Sequence, residues 1–196
     1  MLMKLIQVAS LLALAPILSI GIVRAEATPT PETPNPALCT AAPRSFAEIQ
    51  QTMATPQAAA PIASPVPALS PASPEDAAAV SDVVRELVAC FNAGESLRAY
   101  GLYTDAYLRH LLGIQGVPNE ASYAYWATPE PLDPTKYVQI LAIRDVSNVP
   151  GGEVRANVTL RYAGVPVPKT FAFTFMKTAD GWRIDALLGE INFSLP

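Results

Sequence analysis

Few side chains in this chain could carry chemistry, and their types narrow what it can do. His110 is the single histidine, so a histidine-based metal site is excluded and a Ser-His-Asp relay would have to run through it. With two cysteines beside that histidine, no Cys/His metal centre is expected, and no cofactor. The sequence holds no Gly-x-Ser-x-Gly elbow and no glycine-rich phosphate loop. What remains for acid–base work is Asp185 or Asp145, with Tyr107 and His110 as further candidates. A carboxylate desolvated among apolar walls can act as a base, and a phenol can donate to a developing oxyanion.

Tyr100, Tyr103, Tyr107, Tyr162 and Trp126 are the candidate walls of such a pocket. Each reactive candidate also has a plainer reading. Asp185 can pair across neighbouring strands with Arg161, Arg155 or Arg183. Asp105 and Arg109, four apart on a helix, make a surface ion pair and leave His110 partly exposed.

The elements that would position these groups begin at an export signal. Lys4 precedes an apolar run from Leu5 to Val23 that ends in Val23-Arg24-Ala25, so residues 1–25 read as a cleaved signal peptide. An uncleaved anchor is the alternative, against which stand Gln7, Ser10, Ser19 and a central Pro16. A secreted or envelope-exterior location follows, with no stable membrane association once the signal is removed.

With Lys4 and Arg24 taken from the 13 basic residues, 11 stand against 17 acidic ones, a formal charge of −6. The basic residues form no cluster of the kind that displaces counterions, which argues against nucleic acid as a partner. In an oxidising compartment the two cysteines are expected to bond as Cys39–Cys90. Closing a loop of about 50 residues would constrain the unfolded chain by about 4 kcal/mol before strain.

Residues 26–43 are rich in Thr, Pro, Glu and Ala and read as a disordered leader. A short amphipathic helix follows over 44–53, with Ser45 and Glu48 in capping-box relation and Phe46, Ile49 and Met53 at helical spacing. Residues 54–74 carry repeated proline among Ala and Ser, a polyproline spacer. The cysteine bond would close that spacer into a loop and hold the short helix on the domain as a strap.

The main domain, 75–196, opens on a long helix capped by Ser73 and stopped at Asn92-Ala93-Gly94. Two shorter helices are expected, Ser96 to Tyr103 and Asp105 to Leu112. Residues 114–136 read as a long loop whose aromatics form a binding loop or cover a sheet edge. Four strands come next, from Tyr137, Glu153, Val167 and Trp182. Alternation in the second puts Val154, Ala156, Val158, Leu160 and Tyr162 on one face and Arg155, Asn157, Thr159 and Arg161 on the other. The fold class is α+β, a four-stranded antiparallel meander with helices on one face. Alternation leaves open which face lines a cavity.

The helix ending Val-Arg-Glu-Leu-Val-Ala-Cys-Phe-Asn-Ala-Gly (84–94), the step Leu-Tyr-Thr-Asp-Ala-Tyr-Leu (102–108) and the closing Asp-Gly-Trp-Arg-Ile-Asp (180–185) resemble the nuclear transport factor 2-like superfamily, also called SnoaL-like. The resemblance covers about residues 75–196. It implies a cone: three N-terminal helices packed on a strongly bent four-stranded sheet, with a pocket between them. Members include isomerases, dehydratases, cyclases and epoxide hydrolases beside non-catalytic binding and dimerising domains, so the fold leaves function open. The expectation is a small apolar ligand or a protein partner in the cone, with an isomerase, dehydratase or hydrolase using a pocket Asp and Tyr as the alternative. The polar outer face of the sheet favours a monomer or a weak homodimer.

Overall fold

The computed structural model describes residues 30–55, 69–115 and 118–188. The stretch expected to be a signal peptide, most of the expected spacer and the last eight residues lie outside them. The described chain is an α+β structure with one open antiparallel sheet of five strands. The helices are α1 (Phe46–Ala54), α2 (Pro74–Ala93), α3 (Ser96–Gly101), α4 (Asp105–Gln115) and α5 (Glu120–Trp126). The strands are β1 (Ser70–Pro71), β2 (Gln139–Val149), β3 (Glu153–Arg161), β4 (Lys169–Thr178) and β5 (Gly181–Leu188), and they lie in chain order across the sheet.

Local chemistry accounts for the helix limits. Ser45 and Glu48 form the expected capping box at α1. At α2, the Ser73 hydroxyl accepts from the Asp76 N–H, Pro74 fills the first position and Glu75 and Asp76 face the positive end of the helix dipole. The helix stops at Gly94, at φ 69°, where a side chain would also collide with the Glu130 backbone.

Alternation in β3 and β4 decides the layers. Val154, Ala156, Val158 and Leu160 stand beside Phe171, Phe173 and Phe175, and all seven are buried. They pack with Val80, Val84, Leu87 and Val88 of α2, and with Leu108 and Leu112 of α4, in one core. The opposite face carries Arg155, Asn157 and Thr159, so the helices cover one face only.

Both edges of the sheet are partly covered, in ways the sequence did not reveal. Beside β2, Glu32 exchanges two backbone hydrogen bonds of 2.8 Å with Ile140, and Ser70 and Pro71 pair with Asn148 and Ser147. Beside β5, Tyr103 forms a parallel bridge with Ile184. Unpaired edge groups invite foreign strands, and these short segments occupy them.

Several expectations are corrected. The leader expected to be disordered is ordered over residues 30–43: Glu32 joins the sheet, and Pro36–Leu38 form a 3-10 turn. Composition registers the missing apolar groups but not backbone bonding to a distant strand. Asn92, fully buried in α2, receives the Val138 N–H on its Oδ1 and donates to the carbonyls of Pro34 and Val138. One amide thereby fastens leader, helix and strand together.

The spacer expected over 54–74 contributes β1, making five strands where four were expected. The loop expected over 114–136 contains α5, started by Asn119, whose side chain accepts from Ser122 N–H. The expected helix from Ser96 to Tyr103 ends at Gly101, because the next residues are drawn into pairing with β5.

The strap is held covalently and by packing. Cys39 and Cys90 form a disulfide with an S–S distance of 2.06 Å. Ile49 of α1 is fully buried, and Met53 packs against the core. Arginines reinforce it: Arg98 donates to the Ala41 carbonyl at 2.7 Å and Arg109 to the Thr52 carbonyl at 2.8 Å.

Candidate functional site

The bridge between Tyr103 and Ile184 sorts the candidate residues into two groups. Paired residues in a sheet share a face, and their successors share the other. Tyr103 therefore turns inward with Ile184, and both are buried. Thr104 and Asp185 lie one step along, on the opposite side, where the Thr104 hydroxyl donates to Asp185 Oδ1 at 2.6 Å.

The inward group is an aromatic cluster. Tyr103 stands edge-on to Tyr107 with ring centroids 5.2 Å apart, and 6.4 Å from Tyr100. Tyr100 meets the edge of Trp126 on α5 at 5.5 Å. These are favourable contact geometries for aromatic pairs. Tyr162, just beyond β3, lies close enough to Tyr103 for the charge of one phenolate to raise the pKa of the other. The five residues read from the sequence as pocket walls lie near one another: Tyr100 on α3, Tyr103 between α3 and α4, Tyr107 on α4, Trp126 on α5 and Tyr162 just beyond β3. The strap borders them: Phe46 packs on Tyr123 at 5.3 Å, and Arg44 donates to the Tyr103 carbonyl at 3.0 Å.

Burial sets the protonation of this cluster. It pushes the phenols of Tyr100, Tyr107 and Tyr162 up to about 12. The Tyr103 phenol is raised well above its ordinary value, by burial first and then by Tyr107, Tyr100 and Tyr162. All four are neutral donors at physiological pH. The Tyr162 hydroxyl is buried and has no hydrogen-bond partner among the described residues. A buried donor without an acceptor is destabilising, and native proteins hold few of them.

The outward group is ionic and sits elsewhere. Asp185 was expected to pair with Arg161, Arg155 or Arg183; its hydrogen bond is to Thr104 instead. That hydroxyl also accepts the Tyr107 N–H at 3.1 Å, so Asp185 orders the first turn of α4. Arg183 turns the other way, to the Gly101 carbonyl and Asp180. Glu153, which sequence reasoning passed over, has its carboxyl pushed up, by burial first and then by the negative charge of Asp185. Arg155 opposes that shift weakly.

Asp145 is exposed on a β-bulge at φ 54° and accepts from Asn157 Nδ2 at 2.8 Å. His110 is exposed and stacks on the Tyr107 ring at 6.5 Å. The expected Asp105–Arg109 pair is replaced by Asp105 with Arg44 at 2.8 Å, while Arg109 holds the strap. Of the four acid–base candidates, Tyr107 lies in the aromatic cluster with His110 stacked on its ring, while Asp185 and Asp145 are held by separate hydrogen bonds to Thr104 and Asn157. Among the described residues no cluster of His, Cys, Asp or Glu has the geometry to hold a metal ion, and no helix is long and apolar enough to cross a membrane.

No family model, curated protein or solved structure matches this chain.

Proposed function

We propose that this chain is an exported nuclear transport factor 2-like domain that binds a small, uncharged, largely apolar ligand in the aromatic cluster, through a neutral hydrogen-bond acceptor on the ligand. The observation that carries the reading is the buried, unpartnered hydroxyl of Tyr162 beside the neutral Tyr103 phenol. Apolar rings supply contact area, and one buried donor supplies orientation, the usual division of labour in small-molecule sites. A charged ligand would find no counter-ion among these phenols.

The rings already touch, so the ligand enters by displacing one of them. Trp126 is the one that yields. It rides on α5, a helix of seven residues none of which is buried, and such weakly packed elements open at low free energy. The helices on one face of the sheet and the closing Gly-Trp-Arg-Ile-Asp strand support the cone-shaped fold behind this reading. The disulfide is compatible with an oxidising compartment and supports export. The polar outer face supports a monomer or a weak homodimer, which sedimentation would separate.

A matched pair of rigid probes tests the reading, 2-adamantanone against adamantane. The ketone should raise the melting temperature of the chain, the hydrocarbon should do so much less, and Tyr162→Phe should erase the difference. Equal effects of the two probes, or none, would refute it.

The second reading, an isomerase, dehydratase or hydrolase, draws on one observation, the raised carboxyl of Glu153 beside Asp185. Such a carboxyl can exchange protons nearer neutral pH. These acids share the outer face, away from the aromatic donors, which favours binding over chemistry.

A further inference from the structure

The tip of the hairpin between β3 and β4 lies just beyond Tyr162, the residue this connection contributes to the aromatic cluster. Its six residues Ala163-Gly164-Val165-Pro166-Val167-Pro168 are all exposed and include no polar side chain. Val167 is 69 % exposed and Val165 38 %. Large apolar side chains standing together in water mark a contact surface. Beneath them is an open groove of about 430 Å³ lined by Val165, Pro166, Val167, Lys169, Thr170 and Phe171.

Two further features define what the tip meets. The first is its backbone. Pro166 and Pro168 have no N–H, and the Val165 N–H is already bonded to the Tyr162 carbonyl at 3.2 Å. The tip therefore carries few donors that an apolar medium would strip of water. The second is charge. From Val154 to Lys177 the sequence has four basic side chains, Arg155, Arg161, Lys169 and Lys177, and no acidic one, in a chain that is acidic overall. Arg161 ends β3 and Lys169 begins β4, so two cations stand at the base of the apolar tip.

We propose that this hairpin docks on an anionic lipid bilayer, with Val165 and Val167 entering the interface and Arg161 and Lys169 lying among the headgroups. An apolar wedge with a cationic collar suits such a surface, because area burial and attraction to anionic lipid add. Two valines and two charges give a reversible contact, consistent with the absence of stable membrane association expected from the sequence.

The test is co-flotation with vesicles of phosphatidylglycerol and phosphatidylcholine, and with vesicles of phosphatidylcholine alone. It uses the full chain and the chain beginning at Glu26, which keeps every described residue and lacks the apolar run at 5–23. In the latter, the anionic vesicles should bind more tightly than the neutral ones and release protein as salt rises. Val165→Asp with Val167→Asp should weaken partitioning roughly a hundredfold. Arg161→Gln with Lys169→Gln should weaken it roughly tenfold on anionic vesicles alone. Unchanged melting of both variants would confirm that only the surface was altered. The proposal is overturned if the chain from Glu26 does not float with anionic vesicles, or if the Asp variant floats as well as the parent. It is equally overturned if the hairpin instead drives self-association that the Asp variant abolishes, which would assign the surface to a second copy.

Discussion

The two sides of the sheet near β5 begin one residue apart in the chain and end in different chemistry. Tyr103 and Ile184 turn inward to a neutral aromatic cluster, while Thr104 and Asp185 turn outward to a hydrogen-bonded carboxylate. Inside, burial has raised four phenols, and one hydroxyl lacks a partner. Outside, Asp185 is used to start a helix, and burial, then the charge of Asp185, raises Glu153. The difference is one of chemistry, neutral inside and ionic outside, while unmet hydrogen-bonding capacity is found on both faces, at the Tyr162 hydroxyl inside and at Arg155 Nε outside.

The largest expected effect separates the two sides by stability. Tyr103→Ala removes a buried ring from the cluster and should cost about 3–5 kcal/mol in urea unfolding. Asp185→Ala removes an accepted hydrogen bond at a half-buried site and should cost about 1–2 kcal/mol. Equal losses would erase the distinction between core and cap.

Next in size is the strap that borders the inner side. Replacing both cysteines by serine should lower stability by about 2–4 kcal/mol, with the unfolding slope showing whether the denatured chain has expanded. If Phe46 and Arg44 matter to the cluster, near-ultraviolet circular dichroism of its tyrosines should change in the same variant.

The smallest effect belongs to the outer side and depends on pH. The Glu153 pKa is raised on folding, so between the ordinary glutamate value and its own higher one the folded state binds the extra proton. Stability contributed by this group is present below that window and is lost as pH rises through it. Compared with the parent, Glu153→Gln should therefore gain in relative stability as pH rises from acid toward neutral. A parallel pair of pH profiles would remove Glu153 from the account.

Particular residues explain what could be read from the sequence. The period-two pattern of β3 separated the apolar face from the polar one, because burial on one side of a sheet enforces alternation. The cysteine pair was legible by number. Contacts between remote segments were not. Glu32 joins β2 through backbone atoms that any residue possesses, and Asn92 was legible only as a helix-stop residue while its amide binds Pro34 and Val138. The partner of Asp185 was missed because a hydroxyl 81 residues away has no signature in a charge pattern. Helix α5 did leave a signal: Asn119 as cap and Glu120 in the first turn, outweighed by the surrounding prolines.

The central claim is that the Tyr162 hydroxyl is a donor held in reserve for a ligand. Equilibrium unfolding of Tyr162→Phe, without ligand, tests it most directly. An unpaired buried hydroxyl contributes nothing favourable, so the variant should be as stable as the parent or more stable by about 1 kcal/mol. A loss of about 1 kcal/mol or more would mean that the hydroxyl is already bonded in the folded chain, and would contradict the account.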